Sequence, residues 1–334
     1  MRLAAAGLLA LAFLAFAHAA SAASWAQPQI RAAVASGLMG PSVAGFRPEA
    51  SLTRRDLAQI VGGIARREQV VTDPGRAVTM TELNRALVRA LGLGPAAASM
   101  QRDLAAAGLT PPSRAGWETV ARLLQLRYNH PAARDDRELL PTDPATRAEA
   151  AFSVARVLEL SSEDLRRANE LATSLDLPEP TEWQRRVLQR AVRFVGYPYV
   201  WGGMSESRQT LFGITSRGGF DCSGFAWRIY RLEPWRGAPG LNATLRGRTT
   251  YQMAAEVPRT RRVASAGLRS GDVVFFGTRG PASRPAQVTH MGISMGGGWF
   301  VHSSGQGTTI APLAGWYASA FAWARRPLAE AGLD

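Results

Sequence analysis

The sequence predicts an α+β protein in two parts. An all-α repeat domain comes first, and a domain of helices packed with an antiparallel sheet follows. Strings of Thr-x-x-acid recur through the first half, each followed by apolar residues at helical spacing. Short apolar runs of strand length, joined by a glycine turn, gather near the end of the chain. Between the halves, Pro178-Glu179-Pro180 reads as a linker. The expected boundaries are an export signal over 1–22, helical repeats over 23–177, a linker over 178–180 and the mixed domain over 181–334.

Composition sets the class. Apolar residues make up 46% of the 334 residues and charged residues 19%, enough for real cores and unlike a disordered or collagenous chain. All 39 basic residues are Arg, and the net charge is +13. Residues 181–334 hold 19 Arg against 8 acids, whereas 23–180 hold 19 against 18. A basic second half suits an acidic partner, whether nucleic acid, anionic lipid or an anionic cell wall, or is simply a solvated basic surface. Nucleic acid fits an exported chain poorly. One Cys cannot form an internal disulfide or a thiolate zinc site, and no His-Glu-x-x-His occurs, so no metal or other cofactor is expected.

Arg2 precedes an apolar run from Leu3 to Ala17, which ends in Ala20-Ser21-Ala22. The run is short for a bilayer span, and the small-x-small pattern is that of a cleaved export signal. The mature chain is expected outside the cell without an integral membrane segment. Its single thiol would then sit in an oxidising place.

In the first half, Thr53 to Asp56, Thr79 to Glu82 and Thr146 to Glu149 are capping boxes. Leu57, Ile60, Val61 and Ile64 follow the first, and Leu83, Leu87 and Leu91 the second. Phe152, Ala155, Val157 and Leu158 follow the third. Gly62-Gly63 either weakens the first helix or marks close packing. A further capped helix is expected near Trp117. His130, in Tyr-Asn-His-Pro, reads as a surface loop residue. Phe46-Arg-Pro-Glu with Leu52-Thr-Arg-Arg-Asp, and Leu140-Pro-Thr-Asp with Thr146-Arg-Ala-Glu, resemble the S-layer homology repeat. That resemblance implies a wall-anchoring helical domain in which Arg54 and Arg147 bind an acidic wall polysaccharide. The middle repeat has Met80 at the Arg position.

In the second half, Thr181 to Gln184 opens another helix with an apolar face of Trp183, Val187, Leu188, Ala191, Val192 and Val195. Asp221-Cys222-Ser223-Gly224-Phe225 precedes helical spacing through Ile229 and Tyr230, placing Cys222 at a helix start. Amides there and a nearby imidazolium would lower the thiol pKa. Gly271 to Phe276 and Thr289 to Ile293 read as strands, and Trp299 to Ser303 returns after Gly296-Gly297-Gly298. The hairpin sets His290 and His302 side by side, supplying base and orienting group for a thiol nucleophile.

The strings Pro198-Tyr-Val-Trp-Gly-Gly203, Asp221-Cys-Ser-Gly-Phe225, Gly271-Asp-Val-Val-Phe275 and His290-Met-Gly-Ile293 with His302 resemble the NlpC family of cell-wall peptidases. The resemblance implies a papain-like α+β fold, with an antiparallel sheet packed on the nucleophile helix. It makes Cys222 the nucleophile, His290 the base and His302 its orienting residue. It puts Tyr199 near the thiol and oxyanion, and Asp221 and Ser223 against the substrate peptide. The substrate it implies is the peptidoglycan stem peptide, cut at the γ-D-glutamyl–diamino acid bond. Two other readings stay open: a catalytically retired wall-binding protein, and an amidase or acyltransferase using the same triad. Residues 231–248 and 280–285 read as extra loops, which leaves the bond less certain than the chemistry. Gly292-x-Ser294-x-Gly296 matches a serine elbow by letter, but a second strand rather than a helix follows. Asn242-Ala-Thr244 is a glycosylation sequon by letter only.

Overall fold

The computed structural model describes residues 24–334. The expected export signal over 1–22 lies outside the described residues. Among them, no helix is long and apolar enough to cross a membrane.

The helical half contains α1 (Gln27–Ala35), α2 (Arg54–Ala65), α3 (Met80–Ala90), α4 (Gly94–Ala106), α5 (Ala115–Leu123), α6 (Arg147–Glu159) and α7 (Ser162–Thr173). A 3-10 turn over Ala132–Arg137 lies between α5 and α6. Thr53 and Thr79 form reciprocal capping boxes with Asp56 and Glu82, as the spacing predicts. Thr146 also caps its helix, accepting from the Glu149 N–H at 3.1 Å. Here the acid does not reach back, because Glu149 pairs with His130 Nε2 at 2.9 Å. His130 is therefore no surface loop residue. It is buried, edge-on to the rings of Trp25 and Tyr128.

The three caps meet around a pseudo-threefold ring of backbone hydrogen bonds. Leu52 N–H donates to Ala145 C=O, Ala145 N–H to Val78 C=O, and Val78 N–H to Leu52 C=O, each at 2.8 Å. Arg54, Met80 and Arg147 hold equivalent places just after the ring. Arg147 bridges to the Asp56 carboxylate at 2.5 Å and stacks on Phe46. Met80 cannot make the matching contact to Glu149, and the His130 ring takes its place.

The helix near Trp117 is present as α5, but Arg114 at its start makes no side-chain cap. The opening amides lie beside the buried Glu118 in the first turn. Sequence reading passed over α1, α4 and α7, although Ser161 to Asp164 is a capping box of the same kind. In α2, a side chain on Gly63 would collide with Leu38, so this glycine serves close packing.

The second half opens with α8 (Glu182–Val192), capped by Thr181 and Gln184. Two small antiparallel pairs follow: β1 (Met204–Ser205) with β4 (Gly219–Phe220), and β2 (Gln209–Leu211) with β3 (Ile214–Ser216). Then come α9 (Cys222–Trp227), α10 (Pro239–Asn242) and α11 (Thr250–Ala255). The main sheet has β5 (Val273–Gly277), β6 (Val288–Gly296), β7 (Trp299–Ser304), β8 (Gly307–Pro312) and β9 (Phe321–Arg325). Its order is β8-β7-β6-β5-β9, and every neighbouring pair is antiparallel. Short helices α12 (Trp316–Ala320) and α13 (Pro327–Glu330) flank β9. One sheet face, with Val273, Phe275, Met291 and Ile293, shares a core with Val187 of α8 and Phe225 of α9.

Residues 231–248 are more than an added loop. Trp235, Leu241 and Leu245 are buried, and the Asn242 amide donates to the carbonyls of Tyr230, Arg231 and Glu233. Ser294 lies buried inside β6 with no helix after it, which removes the serine elbow.

The halves are joined through one continuous apolar core that includes residues of both. Pro178 packs against Gly296, and a side chain on Gly297 would collide with the Asp176 carbonyl, so the linker lies against the β6–β7 turn. Arg114 Nε and Nη2 donate to the carbonyls of Val195 and Arg193 at 2.8 and 2.7 Å. Buried Arg122 donates to the Gly196 carbonyl at 2.8 Å. Two arginines of the helical half thus satisfy carbonyls left open where α8 ends.

Candidate active site

Asp221 stands in extended backbone as the N-cap of α9, and its Oδ1 accepts from the Gly224 N–H. This sets Cys222 in the first turn of the helix. Its Sγ lies 3.4 Å from Thr250 Oγ1 and meets the N–H groups of Met291 and Ser223. The residue is 8% exposed. Burial pushes the thiol up to about 11, aided by the Asp221 carboxylate, while Thr250 and the two amides pull the other way. The lowered pKa expected from the helix start is not found, because burial outweighs the amides.

His290 lies on β6 next to Met291, the residue whose amide reaches the thiol. Its Nε2 is 2.8 Å from Nδ1 of His302 on β7. The expected pair therefore forms. Register explains it: Ile293 pairs with Val301, so His302 falls opposite Gly292 and reaches diagonally to His290. A side chain on Gly292 would lie 3.0 Å from His302 Cβ and 2.7 Å from Phe300 Cδ2. The imidazole of His290 stacks on Phe276 with centroids 5.6 Å apart. Burial lowers the His290 pKa to about 4 and holds His302 well below the usual range. Both rings are thus neutral at pH 7. Among the described residues, the thiol makes no hydrogen bond to His290, which fits a neutral thiol beside a neutral imidazole before substrate arrives.

Tyr199 lies beside this centre. Burial raises its phenol pKa, followed by negative charge on Cys222, Asp221 and Asp135. Asp221 and Ser223, expected to meet substrate, spend their polar atoms inside the protein. Asp221 Oδ2 accepts from the Gly202 N–H at 3.1 Å, and Ser223 Oγ donates to Asp221 Oδ1 at 3.0 Å. Arg248 closes the arrangement, donating to Ser223 Oγ at 2.8 Å and to the Gly202 carbonyl at 2.6 Å. The loop and the helix touch so closely that a side chain on Gly224 would collide with the Gly203 carbonyl. That contact accounts for Gly224, while a side chain on Gly203 would meet the carbonyls of Gly219 and Val200.

Sequence reading missed Thr250, Arg248 and Asp135. The capping box from Thr249 to Gln252 was available as a sign of a helix at Thr250. Nothing local marks Arg248 or Asp135. Asp135 belongs to the helical half, yet its Oδ2 accepts from the backbone N–H of Trp201 at 2.9 Å. The two wall-polymer candidates sit apart from this centre. Arg147 is largely enclosed by its bonds to Asp56 and to the Phe46 carbonyl. Arg54 is freer, donating to the Thr72 carbonyl at 3.1 Å.

The site thus sets a cysteine at a helix start against an antiparallel sheet that carries a histidine pair. Residues 196–326 match the NlpC/P60 family model. Residues 15–58 match the S-layer homology domain model. Murein DD-endopeptidase MepH of Escherichia coli (strain K12) is 30% identical over 128 residues, 37% of this chain and 37% of that protein. Gamma-D-glutamyl-L-lysine dipeptidyl-peptidase of Bacillus subtilis (strain 168) is 27% identical over 124 residues, 37% of this chain and 33% of that protein. An NlpC/P60 family protein of known structure from Bacillus cereus ATCC 10987 is 26% identical, with a TM-score of 0.30. That match covers 47% of this chain and 43% of the other. The chain spans between a fifth and two fifths of the length of the first curated relatives it matches.

Proposed function

We propose that the protein is a secreted peptidoglycan hydrolase, a cysteine endopeptidase that cuts stem peptides at the γ-D-glutamyl–diamino acid amide. The observation that carries this reading is the thiol at the start of α9, beside the strand that bears the 2.8 Å His290–His302 pair. His290 takes the proton from Sγ as the sulfur attacks the scissile carbonyl. The carbonyl π pair moves onto oxygen, where the Cys222 backbone N–H and the Tyr199 hydroxyl receive it. His302 orients His290. The tetrahedral adduct collapses, the C–N bond breaks, and His290 returns the proton to the leaving amine. Water then hydrolyses the thioester, its proton passing through His290 to Sγ.

The choice of bond is supported by the dipeptidyl-peptidase relative, while the DD-endopeptidase relative names a different one. The S-layer homology match supports a wall-facing role for the helical half, with Arg54 and Arg147 as the candidate contacts to anionic wall polymer.

The test is mass spectrometry of purified muropeptides incubated with the protein and with Cys222→Ala. Cleavage between D-Glu and the diamino acid, absent in the variant, is expected. Cleavage that survives in the variant overturns the nucleophile. Cleavage elsewhere overturns the bond.

A further inference from the structure

The NlpC/P60 match begins at residue 196, and all four peptidase-like strings lie in the second half. Among the polar contacts that reach into that region from outside it, one meets the loop that carries Tyr199. The Asp135 carboxylate, in the 3-10 turn Ala132–Arg137, takes the backbone N–H of Trp201 at 2.9 Å. Asp135 is 5% exposed, so this N–H is held by a buried acceptor. Trp201 is two residues beyond Tyr199. The next residue, Gly202, donates to Asp221, which caps the helix of Cys222. The loop Tyr199–Gly203 is thus held at two neighbouring amides, one by each half of the chain. The same junction encloses a cavity of about 260 Å³ between Ala132 and Asp135 on one side and Trp201, Leu211, Phe212 and Ile214 on the other.

We infer that Asp135 is a positioning residue of the active site: by holding the Trp201 N–H, the helical half sets where the Tyr199 hydroxyl stands relative to the thiol. The inference rests on the proposed role of Tyr199 in receiving the oxyanion. A bond of this kind acts on placement, and placement errors of about 1 Å can cost about 100-fold in rate. The helical half is then a component of the catalytic centre as well as a carrier for it.

The test uses the whole protein with Asp135→Ala, Asp135→Asn and Tyr199→Phe. Asparagine keeps an acceptor for the Trp201 N–H and removes only the charge. Asp135→Ala is expected to lower kcat on muropeptides about 10- to 100-fold, with KM changed less than about threefold. Asp135→Asn should restore kcat to within about threefold of the wild type. In the Tyr199→Phe background, Asp135→Ala should add no further loss.

Hydrogen exchange gives a readout independent of turnover. Amides of residues 200–203 should exchange at least about tenfold faster in Asp135→Ala and return toward wild type in Asp135→Asn. Should Asp135→Ala fail to fold, Trp201→Pro compared with Trp201→Ala removes the donor from the other side and must give the same loss. Unchanged exchange, a loss that adds fully to Tyr199→Phe, or an Asn variant as impaired as Ala each overturn the inference. Wild-type inactivity on muropeptides together with the exchange shift would instead count against the proposed substrate, while leaving Asp135 as the residue that holds the loop.

Discussion

Substituting Gly292 by Ala would put the proposed triad under a defined stress. Gly292 faces His302 across the β6–β7 pair, and the space its missing side chain leaves is what lets His302 lean toward His290. An added Cβ would lie 3.0 Å from His302 Cβ, against 3.4 Å at the near edge of ordinary contact. It would lie 2.7 Å from Phe300 Cδ2 and 2.9 Å from the Val301 carbonyl oxygen. The carbonyl belongs to the sheet ladder and cannot retreat cheaply, so the side chains must. A retreat of only 0.4 Å by His302 restores contact, and it stretches a 2.8 Å bond to His290 to the outer edge of hydrogen-bond length. Overpacking of this kind costs about 1–3 kcal/mol of stability. Loss of orientation at the base is expected to lower kcat about 10- to 100-fold. The assay is steady-state muropeptide hydrolysis beside thermal unfolding, for Gly292→Ala, His302→Ala and the double variant. If the glycine acts through His302, Gly292→Ala adds little to His302→Ala. Wild-type kcat in Gly292→Ala, or full additivity in the double variant, would refute the reasoning.

Two further outcomes are expected. Arg147→Ala should lower stability by about 2–3 kcal/mol, since it strands the half-enclosed Asp56 carboxylate and uncovers Phe46. Arg54→Ala, which loses one bond to a carbonyl, should cost less than about 0.5 kcal/mol; chemical denaturation of the two variants reads the difference. The acid limb of kcat/KM should fall near pH 4 rather than near 6.5, because burial depresses His290 and the neutral ring is the base in the proposed mechanism. Acidification also weakens the fold: His290 and His302 bind protons more readily when unfolded, so stability is present above about pH 6.5 and declines as pH falls toward 4. A pH–rate profile and melting temperatures across that range check both.

Features fixed by local physical rules were readable in the chain. Capping boxes at Thr53, Thr79 and Thr181 name their own helix starts, because the cap residue and its acid or amide partner sit within four residues. The pair of strands carrying His290 and His302 was readable too, since a glycine turn sets the register and register sets the face. Features made by distant residues were not. His130 sits in a loop-like string, and only the fold brings Glu149 to it and encloses both. Asp135 reaches the Tyr199–Gly203 loop across 66 residues of chain, which no local pattern encodes. The thiol illustrates a different failure. Helix-end amides argue for a low pKa, but the decisive quantity is burial, and burial depends on how α9, α11 and β6 pack together. The fold class, the helix start at Cys222 and the His290–His302 pair were thus accessible, while the residues that hold them in place were not.

The ring of backbone bonds through Leu52, Val78 and Ala145 has a kinetic consequence. Two of its three edges join segments far apart in sequence, so neither can form until the chain from the first cap to the third has been made and brought round. The first two repeats have no closed partner before then, and their edge amides stay open to water or to other chains. Folding of this half should therefore be governed by a late, long-range closure rather than by helix growth, and should be slow for so helical a domain. A chain interrupted between residues 90 and 145 would hold two capped helices and an unfinished ring, the kind of exposed edge on which misassembly starts.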